Sequence, residues 1–544
     1  MEIVNLSLPA TNRFATEYLK QSSDILSSFH YRYNGIDEYK ERLKELMNRT
    51  FLRNELANHI EHYMEPFTKS EAVKASLEKL RLSNSTVVIG GQQAGLLTGP
   101  LYSIHKVISI IALAKEKEKE LNSPVVPVFW IAGEDHDYQE VNHVYAQRGN
   151  TIEKMTYPEK VHDKRMVSDI GINKEICLKW ANDVIETFGE TAFTNELLGK
   201  MEEIIGKSAS FVDFFAHLIM YFFEDTGLLL IDSGDEKVRK LEKEFFIKQI
   251  QHAQEITKLV IGQQADLKNK GFMNAIEISS QAANLFYYDK ENFERILLEF
   301  DKEKNVFIGK DGSLEFTVEE MIEIASEYPE KLSNNVVTRP MMQEWLFPTL
   351  AFIAGPGEIA YWAELKAAFE LFGLKMPPIM PRLNITLLER SVETDINELG
   401  LDLYETLTVG TEKRKREFIK SLKDEKLENL FDGAKRNLLK NYGEIKEYLE
   451  QADIGLLPLI KKNEDILIKQ LMFMEQKLDK AAQLKHEVVI NKFERVENAL
   501  WPAGSPQERI LNGLYYANHY GKDFFKDLLD ETFSFDGTHK VIKI

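Results

Sequence analysis

A segment rich in glycine and glutamine, GGQQAGLLTGPLYSIHK at residues 90–106, is the first candidate for chemistry. Its glycines would let backbone N–H groups approach a ligand, and the helix predicted after it would attract an anion to its positive end. The glycine spacing matches neither the dinucleotide-binding fingerprint nor a Walker loop. Either Pro100 begins the helix with Thr98 or Gly99 as its cap, or Ser103 is the cap. A tight turn without a ligand is the alternative interpretation.

The candidate catalytic residues of this segment are His105 and Lys106. A cap at Ser103 would place both in the first helical turn, where they would face a bound anion. Packing of His105 against the rest of the protein is the alternative. The candidate residues for binding substrate or nucleotide are Gly91, Gln92, Gln93, Thr98, Gly99 and Tyr102.

An acidic segment that also contains histidine, residues 133–143, follows the next apolar run. Ligands of open α/β sheets bind at the carboxyl ends of strands, so these side chains are expected to meet the first segment there. They could act as acid–base groups or orient an amine; a metal site and a solvated acidic loop are the alternatives. The candidates are Asp135, His136 and Asp137 for catalysis and Glu134 and His143 for binding.

Two arginines are expected near the ends of predicted strands, Arg339 in NVVTR and Arg382 after a proline. A guanidinium group binds carboxylate or phosphate through paired hydrogen bonds, although a surface ion pair is an equally good explanation. The remaining candidates for binding lie in AGPGEIAYW, at residues 354–362, and in WPAGSPQER, at residues 501–509. They are Gly355, Gly357, Glu358 and Tyr361 in the former and Trp501 and Arg509 in the latter. A structural clamp is the alternative for the last two.

These residues need a parallel sheet to position them. Short apolar, β-branched runs predict strands of that sheet at 86–89, 125–131, 228–231, 350–354 and 378–380. A helical pattern at 104–119 joins the first two as a βαβ unit. Gaps of roughly 95 and 120 residues separate the later runs, which is too long for loops. Inserted subdomains are therefore expected at about 145–225, with a helix at 209–223, and at about 233–335, with a hairpin near 295–308.

The predicted organisation has four parts. Residues 1–84 are a helical part of the core, and residues 85–383 are a Rossmann-like core with the two insertions. Residues 384–500 carry apolar side chains in steps of three and four, which predicts a long coiled coil, with Pro458 at the hairpin between two antiparallel arms. An ordinary helical bundle is the alternative. Residues 501–544 are expected to pack back on the core.

The composition excludes several classes of protein. The chain has 544 residues, with 68 basic and 87 acidic side chains and a formal net charge of −19. That charge argues against a protein built to grip nucleic acid or anionic lipid. The single cysteine, Cys177, excludes a disulfide framework and a zinc site made of thiolates. The first residues lack a secretion signal, so a soluble cytoplasmic protein is expected.

Five sequence blocks together resemble one family. The blocks IGGQQAGLLTGPLYSIHK, FWIAGEDHDYQEVNH, NVVTRPMMQEWLFPTLAFIAGPGEIAYW, PPIMPR and WPAGSPQERILN are similar to the bacillithiol biosynthesis enzyme that adds cysteine to glucosaminyl-malate. The resemblance implies a nucleotidyltransferase-type Rossmann core and a coiled-coil domain that forms a homodimer. It also implies a cytoplasmic carbon–nitrogen ligase whose substrates are L-cysteine and glucosaminyl-malate.

The resemblance also suggests how the candidates would share the work. ATP or ADP is the expected cofactor, with no metal beyond Mg²⁺ bound to the nucleotide. Residues of the first segment would contact nucleotide or activated carboxyl, one of Asp135, His136 and Asp137 would act on the sugar amine, and Arg339 or Arg382 would bind the malate. Two alternatives remain: a metal-assisted hydrolase built on residues 134–143, and a nucleotide-binding coiled-coil scaffold.

Overall fold

The computed structural model describes residues 1–544, which form two compact units. The first unit contains Met1–Arg148, Ile152–Leu387 and Gln507–Lys543. The second contains Gly149–Thr151, Leu388–Pro506 and Ile544. No helix of the structure combines the length and apolar character needed to cross a membrane.

The strands lie mostly in the first unit. In chain order they are β1 (Glu2–Leu6), β2 (Thr86–Gln92), β3 (Val125–Ile131), β4 (His143–Arg148), β5 (Thr151–Thr156), β6 (Leu229–Asp232), β7 (Ala282–Asp289), β8 (Glu294–Asp301), β9 (Val306–Gly309), β10 (Glu315–Thr317), β11 (Leu332–Asn334), β12 (Thr349–Ala354), β13 (Ile379–Pro381), β14 (Ile385–Leu388) and β15 (His539–Lys543).

The helices occur in both units. In chain order they are α1 (Arg13–Leu19), α2 (Ser23–Leu26), α3 (Ile36–Met47), α4 (Arg53–Met64), α5 (Glu71–Arg81), α6 (Tyr102–Leu121), α7 (Tyr138–Val141), α8 (Lys174–Glu186), α9 (Thr194–Lys207), α10 (Phe211–Phe223), α11 (Glu236–Gln251), α12 (Ala253–Asn269), α13 (Val318–Glu327), α14 (Arg339–Leu346), α15 (Pro356–Trp362), α16 (Lys366–Leu371), α17 (Arg390–Leu399), α18 (Leu403–Val409), α19 (Glu412–Ser421), α20 (Glu425–Ala452), α21 (Leu457–Lys485), α22 (Glu487–Leu500), α23 (Gln507–Ile510), α24 (Gly513–Tyr520) and α25 (Phe524–Leu529).

A five-stranded parallel sheet is the centre of the first unit, in the order β13-β12-β2-β3-β6. All five predicted strands are confirmed as its members. Apolar side chains of β3, β6, β12 and β13 are buried, as expected for parallel strands covered on both faces. Helix α6 connects β2 to β3 and confirms the predicted βαβ unit.

Two long connections of this sheet contain structure of their own. The connection from β3 to β6 holds β4, β5 and helices α8 to α10, and α10 confirms the predicted helix at 209–223. The connection from β6 to β12 holds an antiparallel sheet in the order β10-β9-β8-β7-β11. The predicted hairpin is confirmed there as β8 and β9. A third sheet, β1-β15-β14, was not predicted.

The second unit contains the coiled-coil hairpin. Helices α20 and α21 run antiparallel, as the ion pairs Lys435–Glu475 and Lys446–Glu464 show. The lysine that comes later in α20 pairs with the glutamate that comes earlier in α21. Pro458 lies in the first turn of α21, next to the reversal, as predicted.

The apolar stripe predicted on α21 is exposed within this chain. The seam predicted on α21 does not pack against α20 within this chain: Leu467, Met474 and Leu478 are exposed. Glu464 and Glu475, which form ion pairs with α20, lie on the contacting side of α21 instead. The steps of three and four therefore mark an apolar stripe that α20 does not cover.

Candidate active site

A cavity of about 490 Å³ lies at the carboxyl ends of β2, β3, β12 and β13. Such a crevice is where open parallel sheets bind ligands. Most of its walls come from the segments that sequence analysis selected. Its lining residues are Gly91, Gln92, Gln93, Tyr102, Lys106, Trp130, Ala132, Asp135, Glu140, Val336, Arg339, Gly355, Pro356, Gly357, Glu358, Tyr361, Arg382 and Arg509.

The acidic side of this cleft is organised by Gln93. Its side-chain amide nitrogen donates hydrogen bonds to Asp135, at 2.7 Å, and to Glu140, at 2.6 Å. Since both partners are carboxylates, which only accept when ionised, the amide orientation is fixed by chemistry. Two carboxylates held side by side are suited to an amine or ammonium group. Glu140 was not among the predicted site residues, although it stands in the same sequence block.

His136 is held away from the cleft by the inserted antiparallel sheet. Arg295 of β8 lies 3.1 Å from its Nδ1. Arginine has only donors, so Nδ1 must accept and the neutral ring carries its proton on Nε2. Burial, and then the charge of Arg295, lowers the pKa of His136. Neutral His136 therefore has no free lone pair with which to remove a proton, which argues against its predicted role as a base.

The other candidates of the acidic segment do not line the cavity. Glu134 is buried and accepts a hydrogen bond from Arg239 at 2.8 Å, so its carboxylate is committed to an internal ion pair. Asp137 is exposed. His143 packs against Tyr145, with ring centroids 5.4 Å apart, and burial lowers its pKa. Of the predicted catalytic residues in this segment, Asp135 therefore lines the cleft.

Lys106 reaches the cleft but has no N–H to spare. Its ammonium group donates to the carbonyl of Gly91 at 2.6 Å, to Oε1 of Gln92 at 3.3 Å and to Glu358 at 2.6 Å. These three contacts use its three donors. Glu358 also accepts from the backbone N–H of Gly355 at 2.7 Å. Lys106 therefore ties the end of β2 to the start of α15, although burial lowers its pKa.

Two guanidinium groups in the cleft have no carboxylate partner. Arg339 donates to Gln343 at 3.1 Å and to the hydroxyl of Tyr361 at 2.8 Å, both of them neutral groups. Arg509 is exposed and lies over the ring of Tyr102, 6.0 Å from its centroid. These cations oppose Asp135 and Glu140 in charge, so the cleft offers an anion-binding part and an amine-binding part.

Arg382 enters the cleft with its charge already balanced. Its Nη1 and Nη2 both donate to Glu508, at 2.7 Å each. The same carboxylate lies 3.1 Å from Nδ1 of His105. Burial lowers the pKa of His105, and its ring does not line the cleft. The predicted orientation of His105 towards a bound anion is therefore wrong: the ring turns inward because Glu508 accepts its N–H.

The glycine segment has a structural explanation that the sequence did not reveal. Helix α6 begins at Tyr102 with Leu101 as its cap, so the three predicted caps, Thr98, Gly99 and Ser103, are wrong. A side chain on Gly95 would come within 2.8 Å of the Cα of Gly99. Thr98 is buried, and both Thr98 and Gly99 have positive φ. These residues build a tight turn behind the cleft and do not line it.

Trp501 also lies outside the residues that line the cavity. It belongs to the second unit and caps the carboxyl end of α22. Its predicted binding role has no counterpart in the cavity lining. Across the described chain, no three His, Cys, Asp or Glu side chains are grouped so that they could hold a metal ion. The alternative of a metal-assisted hydrolase on residues 134–143 thus has no geometric support.

The fold places this protein among the Rossmann-like proteins. Its sheet has a charged crevice at the strand ends, and the same chain also carries a coiled-coil unit. Family profiles agree: "Bacillithiol biosynthesis BshC, N-terminal Rossmann-like domain" matches residues 1–383, and "Bacillithiol biosynthesis BshC, C-terminal coiled-coil domain" matches residues 385–544. The chain belongs to the BshC family of bacillithiol biosynthesis.

Curated relatives match over the full length of the chain. Proteins from a Geobacillus species and from Geobacillus thermodenitrificans are each 44% identical to it over 544 residues, and one from Bacillus cytotoxicus is 42% identical over 544 residues. In each case 100% of both chains is covered. All three are provisionally named cysteine ligase BshC, which agrees with the ligase class that the sequence predicted.

Proposed function

We propose that this protein joins the carboxyl group of L-cysteine to the amine of glucosaminyl-malate in a nucleotide-dependent ligase reaction. The observation that carries the proposal is the charge arrangement of the cleft. Asp135 and Glu140 stand together on one side, and Arg339 and Arg509 have no carboxylate partner. Such a cleft suits a reaction between an amine and molecules that carry carboxylates.

In this proposal Asp135 receives the proton that the sugar amine loses as the C–N bond forms. Gln93 holds one carboxylate oxygen of Asp135, and the backbone N–H of His136 donates to the other at 2.7 Å. The carboxylate is therefore fixed in orientation before the substrate arrives, which is what a general base requires. Glu140, bound to the same amide, would accept a hydrogen bond from the second N–H of the neutral amine.

Arg339 and Arg509 would bind anionic groups of the substrates, and Arg339 would bind a carboxylate of the malate part. Neither cation has a carboxylate partner, so those groups would supply the missing counter-charge. The hydroxyl of Tyr361, which accepts from Arg339, keeps its own proton available for donation. Arg382 adds a side chain to the same wall, with Nε–H and one Nη1–H not used by Glu508.

ATP or ADP fits the cleft in charge, and activation of the cysteine carboxyl is the chemistry that it would supply. Arg509 and the backbone at Gly357 are the groups that could hold its phosphates. Lys106 would act on this region indirectly, since it fixes the strand end and the turn that line it.

The test is a reconstitution with purified protein, L-cysteine, glucosaminyl-malate, ATP and Mg²⁺. We expect mass spectrometry to detect the amide product and a stoichiometric amount of AMP or ADP, and omission of any one substrate to abolish both. A deletion strain should accumulate glucosaminyl-malate. Absence of product, together with normal bacillithiol levels in the deletion strain, would contradict the proposal.

We also propose that the coiled-coil unit forms a homodimer. Helix α21 buries only Glu464, and its apolar stripe of Leu467, Met474 and Leu478 has no cover within the chain. Helix α20 likewise exposes Leu430 and Tyr448. Apolar faces of this extent are covered in a stable assembly, and a second copy offers the same complementary stripe.

A further inference from the structure

Glu508 is a buried carboxylate directly behind the cleft wall, contributed by helix α23 near the carboxyl end of the first unit. Its two oxygens accept from Nη1 and Nη2 of Arg382, at 2.7 Å each, and one of them also faces His105 at 3.1 Å. The next residue, Arg509, lines the cleft itself. No assignment made so far gives Glu508 a role.

The geometry fixes how Arg382 meets a substrate. A bidentate carboxylate holds the end of a planar guanidinium group and prevents its rotation. Burial by itself would raise the pKa of Glu508, but the charge of Arg382 and hydrogen bonds from Arg382 and His105 hold the pKa well below its usual range. The carboxylate is therefore ionised throughout the physiological range, and the arrangement does not depend on pH.

His105 completes this arrangement rather than the chemistry. Glu508 can only accept, so Nδ1 of His105 carries the proton, and its Nε2 is buried without a partner. A ring in that state supports the carboxylate from the side opposite to the cleft. It gives Glu508 a third hydrogen bond that an apolar neighbour would not supply.

We propose that Glu508 is a positioning residue of the active site, which acts through Arg382 by holding its remaining N–H donors in a fixed orientation towards a carboxylate of the malate part of the substrate. This inference rests on the proposed function, since it concerns the same cleft and substrate. It differs from a stabilising role because it predicts a loss that is specific to substrates with carboxylates.

The test compares Glu508→Gln with Glu344→Gln. Glu344 is a matched control: it is a buried carboxylate of the same unit that also pairs with two arginines, Arg42 and Arg49, but neither it nor those arginines line the cleft. We expect E508Q to raise KM for glucosaminyl-malate at least fivefold (on the order of 1 kcal/mol) while KM for cysteine stays constant. Activity on methyl glucosaminide, which lacks malate, should not change, and E344Q should leave both KM values unchanged.

A double-mutant cycle asks whether Glu508 acts through Arg382. We expect E508Q combined with R382Q to have the same KM as R382Q alone, because the second change removes the group through which the first acts. Additive effects, or a lower melting temperature without a change in KM, would overturn the inference. If E508Q does not fold, Glu508→Asp replaces it, since it keeps the charge but is too short to hold both nitrogen atoms.

Failure of the proposed function is distinguishable from failure of this inference. Wild-type protein that makes no amide product contradicts the proposed function alone. A crystal structure of E508Q then decides the positioning role without any substrate. Displacement of the Arg382 guanidinium supports the role, and an unchanged guanidinium overturns it.

Discussion

Gln93 and Asp135 are joined by a 2.7 Å hydrogen bond although 42 residues separate them in the chain. One follows strand β2 and the other follows β3, so the parallel sheet places them at adjacent strand ends. The same Gln93 amide nitrogen also binds Glu140 at 2.6 Å. A single neutral side chain thus holds together two carboxylates that would otherwise repel each other.

Asp135→Asn tests the role of the acidic pair. We expect a fall in kcat of about 100-fold or more, because the amide cannot accept the proton that the amine loses. Asp137→Asn is the contrast, since Asp137 is exposed and does not line the cleft; we expect it to change kcat less than about threefold. Steady-state rates of amide formation give both values. Equal losses in the two variants would show that the acidic segment acts as a whole.

Arg339→Lys tests the anion-binding part of the cleft. Lysine keeps the charge but cannot make two parallel hydrogen bonds, so we expect KM for glucosaminyl-malate to rise about tenfold with little change in KM for cysteine. Arg32→Lys, at an exposed position, serves as the control. A rise in KM for cysteine alone would place the amino acid, rather than malate, at Arg339.

Met474→Glu tests the proposed dimer. We expect wild-type protein to have twice the chain mass of 62.8 kDa in light scattering, and the variant to have the mass of one chain. The reason is that a carboxylate in the centre of an apolar interface loses its hydration without gaining a partner. Lys477→Glu, which changes charge more strongly beside the stripe, should remain dimeric. A monomeric wild type would refute the proposal.

Asp232→Asn tests a pH dependence of stability. Burial raises the pKa of Asp232 to about 7, despite opposing hydrogen bonds from Gly234 and Ser168. The unfolded value is about 4, so the folded state binds an extra proton between these values, and this contribution to stability is lost as pH rises through 7. Urea unfolding should show the free energy of wild type relative to D232N falling by roughly 4 kcal/mol between about pH 4 and pH 8. A constant difference would contradict the raised pKa.

Gly133→Ala tests the packing behind the acidic segment. A methyl group at Gly133 would overlap Oδ1 of Asp232 and Oγ of Ser168. We expect the free energy of unfolding to fall by about 3 kcal/mol, since neither neighbour can move without losing the hydrogen bond between them. Gly199→Ala is the control, because nothing lies near its methyl position in α9. That change should stabilise the protein by up to about 1 kcal/mol.

Sequence patterns predicted the parallel sheet because its evidence is local. A buried parallel strand is a run of consecutive apolar residues, and Val125–Ile131 has the bounds that its sequence suggested. The cleft followed from the same logic, since polar segments at the ends of adjacent parallel strands must meet. The short strand Glu2–Leu6 escaped prediction because its partner, β15, lies at the other end of the chain.

The assignments of individual side chains were less successful because they depend on distant partners. His105 forms a buried hydrogen bond with Glu508, which is 403 residues away in the chain. Glu134 accepts a hydrogen bond from Arg239, 105 residues away, and so does not reach the cleft. No local pattern reveals such a pairing. Gly99 was predicted to contact a ligand, but its positive φ and its close approach to Gly95 show that it forms a turn. Glu508 was not predicted as a site residue, although it lies in the block WPAGSPQER between the predicted residues Trp501 and Arg509.

The return of residues 507–543 to the first unit affects how the protein is made. Strand β1 is synthesised more than 500 residues before its neighbour β15. Glu508 and Arg509, which complete the cleft wall, likewise appear after the whole coiled-coil hairpin. The wall of the cleft therefore cannot be complete until the segment that follows the hairpin has been synthesised.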